Sequence, residues 1–96
     1  MSYLEQIKNT LTLLKPELLA KYPIATLGIF GSVVRDDFTD ESDIDIMVTF
    51  NGRVGMEFIE LADELEEKLK RKVDLVSRDG VKDKYLRVID PQIVYV

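Results

Sequence analysis

The sequence contains neither histidine nor cysteine, and these two absences set firm limits on its chemistry. Without cysteine there are no disulfides and no thiolate metal sites, which fits a reducing compartment. Without either residue there is no ordinary zinc site, so any metal must be a hard cation with oxygen ligands. A serine hydrolase triad is excluded as well, because no histidine exists to activate a serine. Apolar runs long enough to span a membrane are missing, and the polar start MSYLEQIKNT carries no signal-peptide pattern. A cytoplasmic protein that leaves membranes alone is the expectation. Basic charge is also in short supply: 13 Lys and Arg face 18 Asp and Glu, for a net charge of −5. A general acidic field repels other polyanions, so stable nucleic-acid binding is not expected.

What is present is enough for one core. The 96 residues are 46% hydrophobic and 32% charged, close to the common size for one domain and too short for two ordinary ones. Residues 1–96 are therefore expected to form a single domain. So small a body exposes much of its surface and leaves little wall for a deep pocket, which points to a partner surface.

Ser2 and Glu5 have capping-box spacing, and Leu4, Ile7, Leu11, Leu14 and Leu18 follow as a helical stripe. Pro16 interrupts the stripe, predicting one helix to about Leu14 and a short second one from Pro16. Ile24 to Phe30, Asp43 to Phe50 and Lys72 to Ser77 read as strands, with a last one from Gln92 to Val96. A helix after Gly55 has an apolar face of Phe58, Leu61, Ala62, Leu65 and Leu69, with Glu60, Asp63, Glu64, Glu67 and Lys68 on its wet side. A short helix is expected from about Lys82 to Ile89. The order suggests an α/β or α+β fold, with helices over a mixed sheet.

The informative stretch runs from Gly31 to Asp45. Asp43 and Asp45 stand two apart on a strand, so both project from one face, roughly 7 Å apart along the chain. Ile44 and Ile46 take the other face. Two like charges side by side repel, and a hard divalent cation such as Mg²⁺ reverses that. Asp74 repeats the pattern between Val73 and Leu75 on the third strand. If that strand neighbours the second, three carboxylates converge, a set suited to two-metal phosphoryl or nucleotidyl transfer. Gly31 follows directly on a strand, where its freedom permits a sharp turn and close approach to a ligand. Ser32 then opens a helical turn with a hydroxyl and a backbone N–H, a place for a phosphate. Arg35, one turn on, either meets the phosphates or pins the loop through an acidic neighbour.

Each residue also has a plainer reading. Asp43, Asp45 and Asp74 fit a solvated strand face, Ser32 a helix N-cap, and Arg35 a surface ion pair. Asp37, Asp40 and Glu41 read as solvating loop charges, and Phe30, Phe58 and Tyr85 as core or interface.

The segments GSVVRDD…SDIDIMV and KVDLV resemble the signature of the DNA polymerase β-like nucleotidyltransferases, in particular their smallest branch, the minimal nucleotidyltransferases. The resemblance spans nearly the whole chain. It implies a polymerase β-like core with a mixed four-stranded sheet and helices packed on it. Asp43, Asp45 and Asp74 would then be catalytic and bind two Mg²⁺ ions, while Ser32 holds the triphosphate; Gly31 and Arg35 stand beside it as nucleotide-binding candidates from their place in the loop. In that branch such a domain acts as antitoxin to a HEPN-type ribonuclease toxin, moving AMP from ATP onto a toxin tyrosine. ATP and a toxin partner are thus the implied ligands. The family has glycine after the arginine, whereas this chain has Asp36, an added negative charge near the triphosphate. Two other readings stand beside this one: an antitoxin that works by contact alone, and transfer to a small molecule.

Overall fold

Helix α1 runs from Tyr3 to Lys21, and the Ser2 hydroxyl accepts the Glu5 N–H at 3.2 Å to start it. The computed structural model describes residues 2–35 and 37–96. Pro16 does not divide α1, contrary to the sequence expectation of two helices. Proline deletes the hydrogen bond to the Thr12 carbonyl and crowds it, a cost that water can relieve on an open face. Both Thr12 and Pro16 are exposed, while Leu11 and Leu18, two turns apart, are fully buried on the opposite side. Burial of that stripe carries the helix through the proline.

Strand β1 (Ile24–Phe30) is followed by a four-residue helix α2 (Ser32–Arg35) and by β2 (Ile44–Phe50). Helix α3 (Glu57–Leu69) leads to β3 (Val73–Ser77), and α4 (Asp83–Ile89) precedes a short β4 (Val94–Tyr95). The strands lie in the order β3-β2-β1-β4. β1 pairs antiparallel with both β2 and β4, whereas β2 and β3 run parallel with α3 as their crossover. The sheet is therefore mixed and four-stranded, with helices packed on it.

β2 shows why the sheet has two unlike faces. Ile44, Ile46 and Val48 are 0% exposed and join Leu27 and Ile29 of β1 against α1 and α3. Leu61 and Leu65 come down from α3 into the same cluster, and Phe58 and Leu69 pack at its margin. The alternate residues, Asp45, Met47 and Thr49, project from the other face. Glu64, expected on the wet side of α3, is half-buried; it accepts the Tyr22 hydroxyl at 3.0 Å and pairs with Lys21.

The last strand is shorter than the sequence predicts. Asp90–Gln92 form a tight 3-10 turn containing Pro91, which has no N–H to give a ladder. Arg78 holds that turn through two bonds to the Asp90 carboxylate, at 2.7 and 2.6 Å. Among the described residues no helix is long and apolar enough to cross a membrane.

Candidate functional site

The site forms where β1 ends beside the start of β2. Phe30, the last residue of β1, pairs with Asp45, and on its other side Asp45 pairs in register with Asp74 of β3. Parallel neighbours in register share a face, so the expected meeting of the second and third strands is realised for this pair. Asp43 lies just before β2, exposed, and shares the parity of Asp45.

Gly31 has φ +81°, a conformation that side chains resist. A Cβ built on it would lie 2.0 Å from Asp45 Oδ2, so the missing side chain makes room for that carboxylate. The sequence assigns this glycine to a sharp turn and a ligand's approach; in the structure the side chain nearest to it is Asp45. The signal for that, a cross-strand register, is absent from the local sequence.

The Asp45 carboxyl is pushed above its ordinary value, first by burial and then by the negative charges of Asp74 and Asp43; Arg35 opposes this in part. Among the described residues none of these three aspartates makes an ion pair at contact distance. Neither are they drawn into a closed cage: no three acidic side chains among the described residues stand close enough to hold a metal ready-made. The arrangement is one half-buried carboxylate with two like charges acting on it.

Ser32 is the first residue of α2, and the Gly31 carbonyl accepts the opening bonds of that turn from Val34 and Arg35, each at 3.1 Å. The N-cap reading of Ser32 is thereby displaced, because glycine occupies the capping place. Its hydroxyl has no hydrogen-bond partner among the described residues. Arg35 reaches Asp37 at 3.8 Å with both side chains more than half exposed, a loose contact that contributes little. Asp36 lies outside the described residues.

The other residues weighed in the sequence divide. Phe30 borders Asp45 at the strand end. Phe58 packs edge-on to Phe50 against the core. Tyr85 is 54% exposed, so it is no part of the core. Asp40 is more than a solvating charge: it accepts the Tyr3 hydroxyl at 2.5 Å and pairs with Arg71.

The profile of the nucleotidyltransferase domain family matches residues 11–92. A protein of Thermococcus cleftensis named protein adenylyltransferase MntA is 37% identical over 97 residues, covering all of this chain and 98% of that one. A solved structure described provisionally as a minimal nucleotidyltransferase superposes with a TM-score of 0.74 at 26% identity, over 98% of this chain and 95% of that chain. A toxin–antitoxin crystal structure with AMP-PNP gives a TM-score of 0.72, also at 26% identity, over 91% of this chain and 71% of that chain. The expected fold is thus the observed one, and the chain belongs to the nucleotidyltransferase domain family as a small enzyme of the minimal type.

Proposed function

We propose that residues 1–96 act as one catalytic domain that transfers AMP from ATP to a tyrosine of a partner protein, a HEPN-type toxin. Asp43, Asp45 and Asp74 would hold Mg²⁺. The observation that carries this reading is the excess negative charge around Asp45: a carboxylate seated in the space left by Gly31, repelled by two others and only partly offset by Arg35. Such a donor set fits a hard cation, since Mg²⁺ takes one or two carboxylates and completes its shell with phosphate oxygens and water. When bound, Mg²⁺ supplies stabilisation of the charge that develops on the phosphate oxygens. The adenylyltransferase name of the Thermococcus relative and the AMP-PNP of the toxin–antitoxin structure support an adenine nucleotide and a protein acceptor. The choice of tyrosine and of a HEPN-type partner rests on the GSVVRDD…SDIDIMV resemblance.

The chain's own residues divide the work. The Ser32 hydroxyl, without a hydrogen-bond partner among the described residues, grips the β- or γ-phosphate at the start of α2. Arg35, held only loosely by Asp37, turns its charge toward the same phosphates. Asp74, exposed at the site's rim, accepts the proton of the incoming tyrosyl hydroxyl, since a carboxylate is the base this site offers. The tyrosyl oxygen bonds to the α-phosphorus as the bond from that phosphorus to the oxygen bridging the β-phosphate breaks, and pyrophosphate leaves.

Intact-mass spectrometry of the co-purifying protein, after incubation with this chain, Mg²⁺ and ATP, tests the reading. A gain of one or more AMP units that disappears with Asp43→Asn is the expected result. A stable complex with no mass gain would replace transfer with neutralisation by contact.

A further inference from the structure

Asp43 precedes the first rung of the β2–β3 ladder, where the Ile44 N–H donates to the Lys72 carbonyl at 2.9 Å. Its position is therefore set by the turn before it, residues 39–42. That turn is tied to itself: the Thr39 N–H donates to Ser42 Oγ at 3.0 Å, and the Ser42 N–H to the Thr39 carbonyl at 3.1 Å. The Glu41 N–H reaches Thr39 Oγ1 at 3.3 Å. These bonds close the turn on itself, and Asp43 follows directly from its end.

The piece is anchored through Asp40. Arg71, in the turn between α3 and β3, donates to the Asp40 carbonyl at 3.1 Å and to its carboxylate at 3.4 Å. Tyr3, at the start of α1, donates its hydroxyl to the same carboxylate. The guanidinium lies 4.9 Å from the ring centres of both Tyr3 and Phe38, and those two rings meet edge to face at 4.9 Å. Three remote segments thus converge on one cation. A planar guanidinium can pack on a ring while its edge donates hydrogen bonds, which a lysine ammonium does poorly.

A cavity of about 120 Å³ lies between the start of α1 and α2, lined by Tyr3, Leu4, Val33, Val34, Phe38 and Ser2. Val33 and Val34, next after Ser32, and Phe38, just before the 39–42 turn, border that space. Asp40 is 85% exposed while Arg71 is 24% exposed, so the arginine is the more enclosed half of the pair. An isolated exposed ion pair contributes little to stability, but a stacked, forked one fixes geometry.

We propose that Arg71 is a positioning residue for nucleotidyl transfer: with Tyr3 and Phe38 it clamps Asp40 and so places the 39–43 turn, and Asp43 with it, beside Asp45. The inference rests on the reading of Asp43 and Asp45 as the working carboxylates. Acting through Asp43, Arg71 governs the rate of the chemical step and has little effect on ATP capture.

The test compares Arg71→Ala, Arg71→Lys, Tyr3→Phe and Asp45→Asn in the full chain. Transfer to the partner protein is followed by intact mass, and amide hydrogen exchange of residues 39–45 is measured in parallel. Arg71→Ala is expected to lower kcat about tenfold or more, with the KM for ATP changed less than about threefold, because a misplaced group loses transition-state contacts first. Exchange across 39–45 should quicken, Arg71→Lys should recover part of the rate, and Tyr3→Phe should show a smaller loss. Wild-type kcat and exchange in Arg71→Ala, beside an inactive Asp45→Asn, would overturn the clamp and leave the site reading intact. A rise in KM alone would also overturn it. Full activity of Asp45→Asn would instead overturn the site. If Arg71→Ala does not fold, Arg71→Lys and Tyr3→Phe decide on the same criteria.

Discussion

The two faces of β2 are made from the same seven residues and obey opposite rules. On one face Ile44, Ile46 and Val48 are sealed between sheet and helices. On the other, Asp45 stands between Phe30 and Asp74, half-buried and under repulsion from its neighbours. The first face lowers the free energy of the fold, and the second raises it at Asp45. Alternation, with its period of two, lets a single strand present both faces within one run of residues. Stability and chemistry should therefore respond separately to substitution.

Asp45→Asn should separate them most widely. Transfer should fall by about a thousandfold, since loss of a metal-gripping carboxylate removes several kcal/mol of transition-state stabilisation. In metal-free buffer the same variant should be slightly more stable than the parent at neutral pH. The sign follows from the raised Asp45 pKa: the fold favours the neutral carboxyl, so the penalty is absent below the unfolded-state value and complete above the raised one. The stability gap between variant and parent should accordingly close on acidification, as followed by urea unfolding in EDTA. A gap that widens instead would contradict the repulsion assigned to this face.

Ile46→Ala probes the sealed face. A fully buried isoleucine cut to alanine costs about 2–5 kcal/mol, a large share of the stability of a domain this size. Urea midpoints should drop sharply, while any folded fraction keeps its KM for ATP. Gly31→Ala tests the contact between the faces' two purposes. It should cost about 1–2 kcal/mol of backbone strain at φ +81° and also displace the Asp45 carboxylate, lowering transfer far more than it lowers stability. Equal activity in the two proteins would show that Asp45 has room to spare.

The smallest expected effect lies on the covered side. Lys70 closes α3 with φ +56°, the left-handed conformation that glycine normally supplies at a helix end. Lys70→Gly should raise stability by about 0.5 kcal/mol and leave transfer unchanged. Thermal unfolding beside the transfer assay would check both halves of that statement.

How much of this was legible in the chain follows from how local each signal is. The bounds of strand β1 and the shared parity of Asp43 and Asp45 are legible because such patterns are visible within a few positions. The pairing of Asp45 with Asp74 depended on which strands neighbour one another, a long-range fact that spacing alone left conditional. Pro16 misled because its cost is local while the burial of Leu11 and Leu18 that outweighs it is tertiary. The Arg71 assembly carried no sequence signal, since Tyr3, Phe38, Asp40 and Arg71 are brought together only by the fold. Asp40 looked like a solvated charge because its carboxylate is indeed mostly in water.

The in-register pairing of β2 with β3 has one more consequence. Shifting β3 by a single residue would turn Asp74 inward among the buried isoleucines and send Val73 and Leu75 out to solvent. Such a slipped chain would bury a charge without a partner and strip the core of two apolar residues, so it would not persist. The arrangement thus acts as its own proofreader: a molecule that has folded at all has brought Asp74 opposite Asp45, and assembly errors are discarded as unfolded chains before they can accumulate as inactive enzyme.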